Sequence, residues 1–519
     1  MTEAPLASMP DRPGAMPDRP GAMPVRLGLV AAVGAVMALG ATYWDDAWHT
    51  DKGRDEFAIA PHLLLYGGVL ITSLSVLAWA VTRWRSAGLR NVRALAADPA
   101  LLIAGIGGLV TLASAPLDNA WHELYGRDAV LWSPPHLLAV AGTLCLSVGV
   151  LAGLRSTTGQ GADAARLFAA CGVIGALQIP VLEYDSDVPQ FSVLWYLPVA
   201  SLGLCLALAL IDDLWPGRWR PLQAAALYTA LRAIVATGLP SAGFSGSFVP
   251  PILLAVGVAA SVGHRPLRLR LAVAACLTPL IWWPALQAQA DVAALVPLDQ
   301  LPLAVALSLA AATLVGWIHG DWSFAPQVRS IGFKSLLVAF MAMVAMGAAA
   351  DQATAHDPGQ GTERSIANMN VTRSTAVASI SLTVPEPCDG LTPTRSVARR
   401  SGVVLTGPLR SSPSPDRSCQ FVGKISGMSA GRWFVYVEFV DTSGQKLEAW
   451  VPVKEHQTTS QRRSLYVPPA ATSGSGQLLA GAVVLLLVAG LVVACVRLAK
   501  ATSTTTARSP VVGSGVARS

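Results

Sequence analysis

The chain has 519 residues, 53% apolar and only 13% charged, about half the charge of an average soluble globular protein. A mean hydropathy of +0.50 over this length excludes a single water-soluble core, along with the disordered, collagenous and disulfide-dense classes. The net charge of +6 is small for the length and mostly reflects loop arginines, so the expected partner is the lipid bilayer and not nucleic acid.

In chain order, residues 1–24 repeat Met-Pro-Asp-Arg-Pro-Gly-Ala at 9–15 and 16–22 and read as a disordered tail, not a signal peptide. Apolar segments follow at about 25–43, 61–82, 99–115, 135–154, 164–181 and 194–211. Others lie at about 222–238, 248–263, 271–288, 301–318, 333–349 and 477–498. Each is close to the roughly 20 residues that a membrane crossing needs. The expectation is an all-α polytopic membrane protein of about 12 transmembrane helices carrying an extracytoplasmic β-sandwich. Its helical domain spans 25–349, with about eleven helices, and the last helix is 476–498. A second tail runs from 499 to 519.

Connections 83–98, 155–166, 212–221, 264–270 and 319–332 carry twelve Lys or Arg residues. The alternate set, 44–60, 116–134, 182–193, 239–247 and 289–300, carries three: Lys52, Arg54 and Arg127. The positive-inside rule therefore expects a multi-pass protein of the cell membrane with both termini cytoplasmic. Residues 350–475 break the apolar pattern and fall outside. Strands are expected at Val377–Val384, Val403–Thr406, Cys419–Val422, Arg432–Val440 and Lys446–Val453, with Trp433, Val435, Val437 and Phe439 on one face. The turn Thr442-Ser443-Gly444-Gln445 marks a hairpin. This pattern suits an immunoglobulin-like or cupredoxin-like sandwich. Of seven cysteines, Cys145, Cys171, Cys205, Cys276 and Cys495 lie in apolar runs as small core residues. Cys388 and Cys419 lie in the outward region, where a disulfide suits the oxidising side.

The informative feature is a duplication. Asp45-Asp46-Ala47-Trp48-His49-Thr50-Asp51-Lys52-Gly53-Arg54-Asp55 returns as Asp118-Asn119-Ala120-Trp121-His122-Glu123-Leu124-Tyr125-Gly126-Arg127-Asp128, with seven of eleven positions identical. After one inserted residue, Pro61-His62-Leu63-Leu64 matches Pro135-His136-Leu137-Leu138. The segments 25–82 and 99–154 are thus a repeated hairpin. Asp45 and His49 are spaced i, i+4 and share a helix face, and Pro61 suits the first turn of the next helix, bringing in His62. Asp45, His49 and His62 make one set of two imidazoles and a carboxylate, and Asp118, His122 and His136 make the second. Such sets bind transition metals with open positions; copper is favoured by the Irving–Williams order, with iron and zinc as alternatives. Arg54, Asp55, Arg127 and Asp128 are placed to hydrogen-bond the ligands, and Trp48 and Trp121 suit the membrane interface. Polar anchoring of two hairpins is the competing reading, and retention of Asp, His and His in both copies argues against it.

Asp-x3-His-x12-His, with Trp48 before the first His, Arg54, Asp55, Phe57 and Tyr66 around it and Pro61-His62 at its end, resembles the membrane C subunit of particulate methane and ammonia monooxygenases. That resemblance implies copper at Asp45, His49 and His62. It covers about 25 residues per copy; the second copy has one extra residue and lacks the Phe. That family's C subunit is smaller and works with separate A and B subunits, so other membrane subunits or a homo-oligomer are open as partners. The outward domain resembles the cupredoxin-like parts of the B subunit, offering His356, His456 and Met428.

Glu183, Asp185 and Asp187 fall on the same outer side and either extend a metal site or form a solvated loop. Arg232 lies mid-span and is expected to face the bundle interior opposite an acid. His264 and His319 lie on the inner side as helix-capping or snorkelling residues. A haem held on one helix is excluded because a polar loop and Pro61 separate His49 from His62. A carrier is disfavoured because no charged residue sits mid-span in the repeated hairpins. Two functions remain. One is a copper-dependent monooxygenase-like oxidoreductase acting on a small apolar molecule with dioxygen. The other is a copper-handling or assembly protein without oxygenase activity.

Overall fold

In lipid every backbone polar group must be satisfied within its own segment, so apolar runs of about 20 residues become helices. The computed structural model describes residues 22–51, 59–86, 95, 98–125, 131–185, 192–263, 265–289, 293–320, 362–385, 388, 390–400, 403–413, 418–467 and 475–507. Its helices are α1 (Val25–Asp51), α2 (Ala60–Ser86), α3 (Pro99–Tyr125), α4 (Pro134–Gly153), α5 (Ala162–Gln178) and the single turn α6 (Leu182–Asp185). Then come α7 (Tyr196–Leu214), α8 (Arg220–Ser241), α9 (Ile252–Ser261), α10 (Leu267–Ala288), α11 (Leu301–His319) and, after the β-region, α12 (Ser475–Ala507). Among the described residues ten helices are long and apolar enough to cross a membrane, and α9 is a shorter apolar helix. The segment at 333–349 lies outside the described residues. The last helix continues to Ala507, past the expected end at 498, since each added residue of an existing helix gains a hydrogen bond at little nucleation cost.

The start of α1 meets the end of α4: Met23 N donates to Gly153 O at 2.9 Å, and Thr157 Oγ1 donates to Met23 O at 2.8 Å. Arg232 aside, that end of the bundle holds the arginines described in the helical domain. Arg270 pairs with Asp212 at 2.8 Å, Arg220 with Asp163 at 3.1 Å and His319 with Asp213 at 2.8 Å, and Lys500 near the end of α12 donates to His319 O. The opposite end carries Asp45, His62, Asp118 and His136, and the β-region.

α1 packs on α2 and α3 on α4, while α5 and α7 run through the middle against α1, α4, α8, α10, α11 and α12. Small residues let the paired helices touch. A Cβ on Gly34 would stand 2.7 Å from Thr72 Oγ1 and 2.8 Å from Gly68 O; one on Gly142 would stand 2.6 Å from Thr111 Oγ1 and 3.1 Å from Gly107 O.

The β-region between α11 and α12 differs from the expected two-sheet sandwich. Among the described residues nine strands, β1 (Thr362–Arg373), β2 (Val377–Val384), β3 (Thr392–Arg400), β4 (Val403–Gly407), β5 (Leu409–Ser412), β6 (Cys419–Ser426), β7 (Trp433–Val440), β8 (Lys446–Val453) and β9 (Thr458–Val467), make one antiparallel sheet. Its order is β4-β3-β7-β8-β9-β1-β2-β6-β5. β4 and β5 lie at opposite ends of that order yet are separated in sequence by Pro408 alone, so the sheet must curl until its edges meet, barrel-like. Ser396 Oγ on β3 donates to Pro408 O at 3.4 Å across this closure. Trp433, Val435, Val437 and Phe439 do share the buried inner face, and Phe439 meets Phe421 edge-on at 4.7 Å. The hairpin turn also forms: Gly444 takes φ +79°, and Asp441 Oδ1 accepts from Ser443 N at 2.8 Å and Gln445 N at 2.9 Å. The Cys388–Cys419 disulfide is present, with Cα atoms 6.2 Å apart. It joins the loop after β2 to the start of β6.

Candidate metal centre

The two hairpins place the same pair of side chains together. Asp45, near the end of α1, brings Oδ1 to 3.1 Å from Nε2 of His62 in the first turn of α2. Asp118 near the end of α3 brings Oδ1 to 3.3 Å from Nε2 of His136 on α4. The second helix start is set by Ser133, whose Oγ caps His136 N at 3.4 Å ahead of Pro134 and Pro135. His49 and His122 stand four residues after Asp45 and Asp118 on continuous helix; their side chains lie outside the described set. Among the described residues no three His, Cys, Asp or Glu side chains form a metal-sized group. For metal bonds of about 2.0–2.1 Å, two donors at 90° to each other are about 3 Å apart, and at a tetrahedral angle about 3.4 Å. Both Asp–His pairs have that spacing, which is compatible with two donors on one metal ion and is equally that of a direct Asp–His ion pair.

The duplication reaches into the helix interiors, beyond the loop motif. Gly107 lies 73 residues after Gly34 and Gly142 lies 74 after Gly68, the same offsets as Asp118 from Asp45 and His136 from His62. The Gly34–Gly68 and Gly107–Gly142 contacts are therefore the same contact twice, and they draw each Asp-bearing helix onto its His-bearing partner. This signal was present in the sequence, but only the packing shows its use.

The surroundings of the two pairs differ. At the first, Trp48 packs on Phe244 with ring centroids 5.7 Å apart, Trp44 meets Phe244 edge-on at 6.3 Å and Tyr66 lies 5.6 Å from His62. The end of α1 is then held by the β-region. Asp51 accepts from Ser245 Oγ at 2.6 Å, Arg432 donates to Ser245 Oγ at 3.2 Å, and Arg463 donates to Asp51 O at 2.8 Å. Burial pulls the Arg463 guanidinium down to about 10, and the Asp51 carboxylate works against that shift. At the second pair Leu124 replaces Asp51 and α12 takes the place of the β-region: a Cβ on Gly481 would lie 3.5 Å from Pro134 and 3.6 Å from the buried Trp121.

Of the other expected participants, Arg54, Asp55, Phe57, Arg127, Asp128 and Asp187 lie outside the described residues, as do His264, His356 and the side chain of Glu183. Asp185 turns into the bundle. Its Oδ2 pairs with Arg232 Nη2 at 2.8 Å and its Oδ1 accepts from Tyr196 OH at 2.5 Å. Arg232 also donates to Ser247 Oγ at 2.9 Å and to Phe248 O, and lies 4.0 Å over the Tyr43 ring. Tyr43 OH in turn meets Tyr228 OH at 2.8 Å. The expected acidic partner of Arg232 is thus Asp185, supplied from 47 residues away. Tyr43, Tyr196, Tyr228 and Ser247 complete the cluster and carried no local signal, because each is ordinary within its own segment.

In the β-region Met428 packs into the hydrophobic core, and His456 is exposed beside Glu455 at 3.5 Å and Thr375 at 3.3 Å. None of the protein families, curated proteins or solved structures compared with the chain matches it.

Proposed function

We propose that this chain is an integral membrane copper-binding protein, a copper membrane monooxygenase-like oxidoreductase acting on a small apolar substrate with dioxygen. The supporting observation is the repeated placement of an Asp carboxylate against a His imidazole, 3.1 and 3.3 Å apart, with a further His one helical turn beyond each Asp. Asp45, His49 and His62 are the ligands of the first ion; Asp118, His122 and His136 are those of the second. Bound copper would supply the one-electron chemistry that activates dioxygen. The carboxylate offsets the charge of the ion, the two imidazoles fix its position, and Trp44, Trp48 and Phe244 form an apolar wall suited to a small apolar substrate. The arginine-rich end faces the cytoplasm, and the β-region faces outward, where its disulfide is stable.

The test is copper per chain, by elemental analysis of purified protein, for wild type, His62→Ala, His136→Ala and the double variant. Loss of outer hydrogen-bond partners alone costs about 10–100-fold in metal affinity, so loss of a ligand should empty its site. Each single variant is expected to lose about one ion and the double variant both. A double variant that binds as much copper as wild type overturns the reading. Oxygen uptake by copper-loaded protein separates the oxidoreductase from a copper-handling protein, which would exchange the ion without consuming oxygen.

A further inference from the structure

We infer that Cys145 and Cys495 form a second kind of metal site, a two-sulfur site for a soft monovalent cation of the copper(I) or silver(I) type, inside the helical bundle. Cys145 on α4 and Cys495 on α12 are 350 residues apart in sequence, yet their Sγ atoms are 3.4 Å apart. Both are fully buried and both are free thiols. Cys145 follows His136 by nine residues on the same helix, which at 1.5 Å per residue is about 13–14 Å inward, close to the middle of a ~30 Å hydrocarbon core. α12 reaches this point after passing Pro134 and Trp121 beside the second Asp–His pair. The seam between α4 and α12 thus runs from the second hairpin to the paired sulfurs.

The donor set selects the ion. Thiolate sulfur is soft and prefers copper(I) among biological metals. Zinc takes four ligands in structural sites, whereas a filled-shell monovalent ion is satisfied by two sulfurs in line. Metal–sulfur bonds of about 2.3 Å would set the sulfurs about 4.6 Å apart, a shift of roughly 0.6 Å for each side chain. On binding, one thiol loses its proton to water and forms a metal–thiolate bond, while the other sulfur donates a lone pair and keeps its proton. One positive charge enters and one leaves, so the complex is neutral, and no electron is transferred. Neutrality matters because an isolated charge is costly in a low-dielectric interior. The site stands apart from the Asp–His pairs, whose nitrogen and oxygen donors suit harder ions.

The experiment titrates silver nitrate into the purified, reduced full chain and counts tightly bound silver after a weak chelating resin. Wild type is compared with Cys145→Ser, Cys495→Ser, the double variant and Cys171→Ser, and the first three are repeated as alanine versions that add no hydroxyl to the core. Either single substitution at the pair should remove the same equivalent of silver, its affinity falling more than about 100-fold. The double variant should lose no more than either single one, and Cys171→Ser should match wild type. Silver raising the melting temperature of wild type, but not of either single variant, is the second readout. His62→Ala/His136→Ala should keep the full silver equivalent, so this site and the Asp–His reading can fail separately. The inference is overturned if the single variants bind silver as wild type does. It is equally overturned if the double variant loses twice what each single one loses, since the thiols then act independently.

Discussion

Arg232 is fully buried within the helical domain and so has to be neutralised where it stands. Its Nη2 reaches Asp185 at 2.8 Å, and the side chains are 0% and 2% exposed. Removing one member of such a pair strands the other charge, whereas replacing both with apolar residues removes the desolvation cost as well. Arg232→Met is therefore expected to destabilise the protein by about 3–5 kcal/mol. Arg232→Met/Asp185→Leu should recover most of that loss. Denaturant unfolding of the purified full chain checks this, and a double variant as unstable as the sum of the singles would contradict it. The cluster also ties α1 to the site: Tyr43, which takes the Arg232 guanidinium on its ring face, stands two residues before Asp45.

At the scale of elements, each Asp–His hairpin depends on its glycine pair. A Cβ at Gly68 would lie 2.6 Å from Gly34 O and 2.7 Å from Ala38 N, and both neighbours are backbone atoms that cannot rotate aside. A larger residue must push α2 away from α1, carrying His62 from Asp45. Gly68→Val is expected to cost about 1–3 kcal/mol as overpacking and to lower copper at the first site while sparing the second. Gly142→Val should do the reverse. Copper per chain in combination with His62→Ala or His136→Ala assigns the loss to a hairpin. Equal loss from both sites after either glycine change would show that the hairpins are not independent units.

For the whole molecule, the described chain is at the arginine-rich end at His319 and at the opposite end at Thr362. α12 then runs from the β-region back to Lys500, which donates to His319 O. Asp51, Ser245, Arg432 and Arg463 join the β-region to the end of α1, so its position bears on the first site. On the proposed orientation, with the arginine-rich loops inside, a reporter fused after Ser475 should be active outside the membrane and one fused after Arg508 active inside. The opposite result would invert the orientation and place the Cys388–Cys419 disulfide in a reducing compartment.

What the sequence alone determined was everything carried by short-range pattern. Apolar run length marked eleven of the described helices, ten of them long enough to cross a membrane, and alternation marked β7 and β8 with the turn between them. The repeat, offset by 73 residues before its one insertion and 74 after it, identified Asp45, His62, Asp118 and His136. Cys388 and Cys419 stood out as the cysteines of the polar region. These features are local because helix and strand periods, capping and turn chemistry act over a few residues. What only the tertiary structure decided were contacts between segments whose own patterns say nothing of each other. Asp185 reaches Arg232, Cys145 meets Cys495, Asp51 is held by Ser245 and Arg463, and the edges β4 and β5 close around Pro408 where a two-sheet sandwich was expected. In each case the partner is chosen by how helices and sheet edges pack in space, and buried polar or sulfur groups take the neighbours that this packing supplies.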